Sequence, residues 1–212
     1  AKFVEESGQR DGGVGGRTGV IQRGAIFEKG GVICSEVLGK LPEPIRISFG
    51  VEEDEFFATG VSIVIHPNNP WVPIIHMNIR DFELNDQVKW FGGGIDLTPH
   101  YVDQEDAKYF HQSLKDVCDT HHPEFYAKYK AWADRYFYIK HRQETRGIGG
   151  IFYDKITPQN TDLSYEEIFD FSCDLGRLFP KVYTELVNRS RHKTFTEQEK
   201  NWQLLRRKLE DR

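Results

Sequence analysis

Cysteine is scarce in this sequence. Cys34, Cys118 and Cys173 are odd in number and widely spaced along 212 residues. That excludes a disulfide frame and offers no zinc-ligand spacing, so they read as reduced, half-buried thiols. No stretch approaches the roughly eighteen apolar residues that a membrane-spanning helix needs. Basic charge is not in excess either. Lys+Arg 28 against Asp+Glu 33 leaves −5, which excludes the chain as a whole as an electrostatic binder of nucleic acid, local patches aside. Internal repeats, heptad seams and low-complexity tracts are absent. Charged residues at 29% with hydrophobic ones at 38% describe an ordinary soluble chain, read as one domain over 1–212.

Glycine is plentiful near the start, in "SGQRDGGVGGRTGVIQRGAIFEKGGV". A dinucleotide fingerprint needs a strand before those glycines and a helix after them. Here the second half alternates instead, as a hairpin does, so that reading is rejected. Residues 40–55, with two prolines and an acidic run, read as an exposed connection. The clearest strands follow. In "FFATGVSIVIH" Ser62, Val64 and His66 share one face and Ile63 and Ile65 the other. In "IIHMNIRDFE" His76, Asn78 and Arg80 alternate with Met77 and Ile79. "VKWFGGGIDLTPHY" supplies a third strand, three glycines and Asp96.

The remainder is mainly helical. Asp103 caps a helix with the stripe Ala107, Phe110, Leu114, Val117 and Cys118. Pro123 opens another that turns Phe125, Tyr129, Trp132 and Tyr136 inward. Ser164 with Glu167, and Thr196 with Glu199, form capping boxes ahead of two more. Pro180 is expected to end or kink the first of those two. Strands first and helices later predict an α+β fold, a large and mainly antiparallel sheet flanked by helices on both faces.

Polar groups at consecutive positions of one strand face need a use. Arg80 offers a fork that suits a carboxylate bidentately. It is read either as an internal ion pair, to Asp81, Glu83 or Asp96, or as an anchor for an acidic ligand. Asn78 and Ser62 add neutral donors and acceptors. His76 is the acid–base candidate, because histidine is the side chain whose ordinary pKa lies near neutrality. Asp96 either accepts N–H donors from a ligand or bonds the backbone of Thr98 in a turn. A metal reading gathers His66, His76, His111 and His141, without any signature such as H-E-x-x-H among them. His141 reads as part of a mixed-charge helix end.

Together, "GVSIVIHPNNPWVPIIHMNIR", "WFGGGIDLTPHY", "FHQSLKDVCD", "YFYIKHRQETRGIGGIFYD" and "EKNWQLLRR" resemble the oxygen-dependent coproporphyrinogen III oxidases of haem biosynthesis. The likeness runs from about residue 12 to 207 in family order. It implies oxidative decarboxylation of two propionates of coproporphyrinogen III to vinyls, giving protoporphyrinogen IX. O2 is the co-substrate, and no organic cofactor takes part. It implies that Ser62, Asn78, Ile79 and Arg80 contact substrate, Ile79 through its backbone, that His76 donates a proton and that Asp96 is essential. His66, His76, His111 and His141 match positions described as divalent-metal ligands. Arg142 and Arg146 are further candidates for local positive charge. The resemblance also implies a homodimer; homologues of the kind occur in cytosol and in mitochondria, and with no presequence visible the expectation is a cytoplasmic location. Family members continue beyond the "LLRR" helix into a hydrophobic strand. The expectation is therefore a chain without the C-terminal part of the family domain, and the alternative function is a non-catalytic tetrapyrrole binder. A metal-dependent hydrolase or oxygenase built on the histidines is the third reading.

Overall fold

The computed structural model describes residues 3–10, 14–52, 55–84 and 88–210. In chain order the elements are β1 (Phe3–Arg10), β2 (Val14–Gln22), β3 (Phe27–Lys40), α1 (Glu43–Phe49), β4 (Glu55–Pro67), β5 (Ile74–Glu83) and β6 (Lys89–Thr98). Then come α2 (Gln104–His121), α3 (Phe125–Tyr136), β7 (Tyr138–Ile139), β8 (Glu144–Thr145), β9 (Gly150–Ile156), α4 (Pro158–Thr161), α5 (Tyr165–Ser190) and α6 (Glu197–Glu210). The large sheet has the order β1-β2-β3-β4-β5-β6-β9, with every neighbouring pair antiparallel, and β7 with β8 forms a small separate ribbon. This is the α+β fold that the order of patterns predicts.

Side chains alternate across a strand, so the register fixes two faces. Ile75, Met77, Ile95, Ile151 and Tyr153 share the first face and are 0–5% exposed. Helices α2, α3 and α5 pack there with Phe110, Leu114, Phe125, Tyr129, Phe171 and Leu175. Burying each such side chain contributes roughly 1.5–3 kcal/mol. Tyr129, Tyr153, Phe125 and Phe171 form a ring cluster with centroids 4.7–6.0 Å apart.

The second face carries Ser62, Val64, His66, His76, Asn78, Arg80, Asp96 and Phe152. Helices flank it at its two ends. Phe49 of α1 stacks on Phe82 at 6.2 Å. At the opposite end Gln203 and Arg207 of α6 donate to the carbonyl of Pro67 at 3.0 and 2.8 Å. The middle of the face stays open.

Four local expectations change. Residues 43–49, read only as part of an exposed connection, form a short helix that buries none of its residues. Pro42 precedes it and Gly50, with a left-handed φ of 67°, closes it. Pro180 lies inside the 26-residue α5 without ending it. The carbonyl that loses a donor belongs to Gly176, four residues back, and the apolar face of α5 holds the helix together across that gap. His141 sits in the turn of the β7–β8 ribbon, because α3 stops at Tyr136. Tyr136 is not part of the core, being 61% exposed. The caps at Asp103, Ser164 and Thr196 form as the sequence suggests.

Candidate active site

Three cross-strand rows build the site on the open face. Val64, His76 and Asp96 make the first, Ser62, Asn78, Gly94 and Phe152 the second, and Gly60, Arg80 and Gly92 the third. Between two glycines the guanidinium of Arg80 can lie flat on the sheet. A Cβ at Gly92 would stand 2.8 Å from Arg80 Nε and 2.6 Å from Asp154 Oδ1, so a side chain there would displace the pair. Over the rows hangs an aromatic wall from the α3 end and β9. Tyr136 stacks on Phe152 at 3.9 Å, and Phe137 meets Phe152 edge-on at 6.2 Å. The recess so enclosed has a volume of about 310 Å³.

Asp96 is 2% exposed and sits inside β6, not in a turn to Thr98. Its Oδ1 accepts from Arg146 Nη2 at 2.8 Å and its Oδ2 from Arg146 Nε at 3.2 Å. His76 Nδ1 lies 3.2 Å from the same Oδ2, within ion-pair reach of a protonated ring but not aligned as a hydrogen bond. Arg146 reaches Asp96 because the segment behind it lies on the backbone of β6. A Cβ at Gly150 would fall 1.9 Å from the Ile95 carbonyl oxygen. Arg146 also lies over the Phe137 ring at 4.3 Å, which fixes the plane of its fork.

Arg80 pairs with none of Asp81, Glu83 and Asp96. Its acid is Asp154 of β9, 2.8 Å from Nη2, while Nη1 donates to Asn78 Oδ1 at 2.8 Å. Asp81 is on the other face, Glu83 holds Lys89, and Asp96 holds Arg146. Among the described residues two of the five guanidinium N–H donors are thus committed, and with 36% of the side chain exposed the others can meet a ligand.

The remaining sequence candidates divide. Ser62, Asn78, Arg80, His76 and Asp96 come together in one recess. Ile79 does not. Its side chain lies on the opposite face, and its backbone is flanked by Val61 and Gly93 in the two ladders. His66 lies on the polar face one row beyond His76. His111 sits on α2, with Nε2 at 2.9 Å from the Ile148 carbonyl oxygen and Nδ1 at 3.1 Å from the Tyr126 hydroxyl. Burial lowers its pKa, opposed by the bond to Ile148. His141 is exposed. Among the described residues no three His, Cys, Asp or Glu groups converge on a point that could hold a metal ion. The four-histidine set therefore does not fit a metal, and no step is derived through one.

Sequence reasoning missed Asp154 and the wall of Tyr136, Phe137 and Phe152. Gly150, Phe152 and Asp154 alternate in β9, which was a readable signal. The pairing of β9 with β6 that carries them to the recess was not. A second recess of about 420 Å³ lies between β4, β5 and α5, lined by Val61, Ile63, Met77, Ile79, Phe91 and Phe169. It is larger but nearly all apolar. Its acid, Asp81, has a pKa raised by burial and by Glu83, with Lys89 opposing the rise, and among the described residues no cation forms a two-point pair with it as Arg146 does with Asp96.

Fold and site define a class: an α+β protein whose open sheet face presents a histidine, a buried aspartate and two arginines under an aromatic wall, suited to a flat organic acid. The chain belongs to the coproporphyrinogen III oxidase family, whose model matches residues 1–209. It is 45% identical over 219 residues to the oxygen-dependent coproporphyrinogen-III oxidase of Drosophila melanogaster, covering 97% of this chain and 55% of that protein. It is 43% identical over 222 residues to coproporphyrinogen-III oxidase 1, chloroplastic, of Arabidopsis thaliana, covering 97% and 56%. The oxygen-dependent enzyme of Synechococcus sp. (strain CC9605) is 40% identical over 229 residues, covering 97% and 63%. The chain spans a little over half the length of these relatives.

Proposed function

We propose that the protein catalyses oxygen-dependent oxidative decarboxylation of coproporphyrinogen III, converting two propionates to vinyls and giving protoporphyrinogen IX. Each propionate loses CO2 and a β-hydrogen, a two-electron oxidation. Two propionates release four electrons, the number that reduces one O2 to two waters. The observation that carries the reading is the recess of Ser62, His76, Asn78, Arg80 and Asp96 in a chain of this family.

In this reading the uncommitted N–H groups of Arg80 grip a propionate carboxylate. Asn78, whose oxygen is used by Arg80, turns its amide N–H2 to the substrate. The Ser62 hydroxyl adds a donor beside it. Reduced pyrroles are electron-rich and react with O2 once deprotonated, so positioning and charge stabilisation are the protein's main contributions. His76 moves protons at the ring edge, and Asp96, held by Arg146, faces the pyrrole N–H groups. The aromatic wall keeps water off one side of the macrocycle.

The test is O2 uptake and CO2 release with coproporphyrinogen III. Two CO2 per substrate, dependent on oxygen, support the proposal. Tight binding without O2 uptake would favour the non-catalytic binder instead.

We infer also that the protein works as a homodimer. Support comes from apolar surface that the fold leaves open, namely the recess beside α5 and Phe169 at 55% exposure. Sedimentation equilibrium tests it. Cytoplasm is the proposed location, to be checked by fractionation. Among the described residues no helix is long and apolar enough to cross a membrane, and relatives named chloroplastic exist.

A further inference from the structure

Inside the recess the charges cancel. Arg80 faces Asp154 and Arg146 faces Asp96, so a substrate with four carboxylates meets no surplus of positive charge there. The surplus lies at the rim. The β7–β8 ribbon pairs Ile139 with Glu144, and the Arg146 N–H donates to the Phe137 carbonyl at 3.0 Å. Glu144 and Arg146, two residues apart, therefore share a face of the ribbon. Glu144 stands one step, about 7 Å, along the ribbon from Arg146. Two guanidiniums converge on it, Arg142 from the ribbon turn and Arg206 from α6, the latter with Nη1 at 3.4 Å from Oε2. Among the described residues, one carboxylate holds these two guanidiniums, which leaves one positive charge uncompensated. Arg206 reaches Glu144 through Nη1 alone, at 3.4 and 3.5 Å, and among the described residues none of its other N–H groups is bonded. Beside it, His100 is 8% exposed with neither ring nitrogen bonded, and Arg206 and Arg207 both act on it electrostatically.

We propose that Arg142 and Arg206, held on Glu144, form a second carboxylate subsite at the mouth of the recess. There they grip a propionate arm of the substrate while Arg80 grips another. The inference rests on the functional reading above. The geometry suits it: Arg80 lies four residues, about 13 Å, from His76 along β5, while Arg146, two residues from Glu144 on the ribbon, bonds Asp96 in the His76 row. Two anchors so far apart match opposed arms of one macrocycle, and they fix its rotation on the sheet as a single anchor cannot.

The test uses the oxidised, unreactive tetracarboxylate coproporphyrin III and its tetramethyl ester as probes, titrated by fluorescence. Arg206→Gln and Arg142→Gln should each raise Kd for the acid roughly tenfold, as loss of a charge-assisted bond does, and leave the ester unchanged. Arg206→Lys keeps the charge and should restore most of the affinity. Equal Kd for the acid in both glutamine variants and the parent would overturn the subsite, and a rise in Kd of Arg80→Ala would at the same time leave the functional reading standing. No preference of the parent for acid over ester would remove the reading and the subsite together. Should Arg206→Gln loosen α6, Arg142→Gln, which sits on the ribbon, decides alone.

Discussion

Asp96 and Arg146 are fifty positions apart and form a two-point ion pair, 2.8 and 3.2 Å, around a carboxylate that is almost wholly buried. A carboxylate in that position without a cation would face a desolvation penalty of several kcal/mol. The pair thus holds the end of the ribbon on β6 and aims the remaining lone pairs of Asp96 at the recess.

Arg146→Ala should cost about 3 kcal/mol of stability, at the lower end for a broken buried pair because the arginine is 26% exposed. Arg146→Lys should recover part of this but not the two-point geometry. Urea denaturation of the three proteins checks it, and equal midpoints for parent and alanine variant would contradict the account.

Arg80→Ala should behave differently. Both partners of the Arg80–Asp154 pair are about one-third exposed, so stability should fall by less than about 1 kcal/mol. The half-saturating concentration of coproporphyrinogen III should rise roughly 10- to 100-fold, the range for losing a charge-assisted bond to substrate. Steady-state kinetics with parallel thermal melts separates the two effects.

Much of this was legible in the sequence, and the rest was not, for one physical reason. Period-two alternation in β4 and β5 fixes which side chains share a face, so Ser62, His76, Asn78 and Arg80 could be grouped without coordinates. Capping at Asp103, Ser164 and Thr196 is equally local. The ion-pair partners are not local: Asp154 reaches Arg80, and Arg146 reaches Asp96, through the pairing of β9 with β6. In α6 the apolar side chains do not mark the docked face. Trp202 and Leu205 are 44% and 55% exposed, while Gln203 and Arg207 are buried, because the helix docks by donating to carbonyls at the end of β4.

His100 sets a pH dependence. Burial, and then Arg207, Arg206, His66 and Lys200, push its pKa from 6.5 down to about 3. Between those values the unfolded chain binds more protons, so stability rises with pH across the window and is lost as pH falls from about 6.5 toward 3. The slope from this one group approaches about 1.4 kcal/mol per pH unit. His100→Gln should flatten the fall in urea midpoint between pH 6.5 and 4.5, and an unchanged slope would contradict the assignment.

Two glycines should respond in opposite senses to alanine. At Gly176, inside α5, a Cβ meets Ile79 Cδ1 at an ordinary 3.5 Å, so Gly176→Ala should stabilise by about 0.5–1 kcal/mol. At Gly150 the new Cβ would lie 1.9 Å from a backbone oxygen, so Gly150→Ala should destabilise by several kcal/mol and pull Arg146 off Asp96. Thermal melts of both variants decide.

In the proposed function the tetrapyrrole reacts on the open face of β4, β5 and β6, with Asp96 at its centre. Oxygen-dependent CO2 release from coproporphyrinogen III by Asp96→Asn, compared with the parent, tests it most directly. The account predicts two CO2 per substrate for the parent and none above background for a variant that keeps the parent's circular dichroism. Release at the parent rate by the folded variant would contradict it.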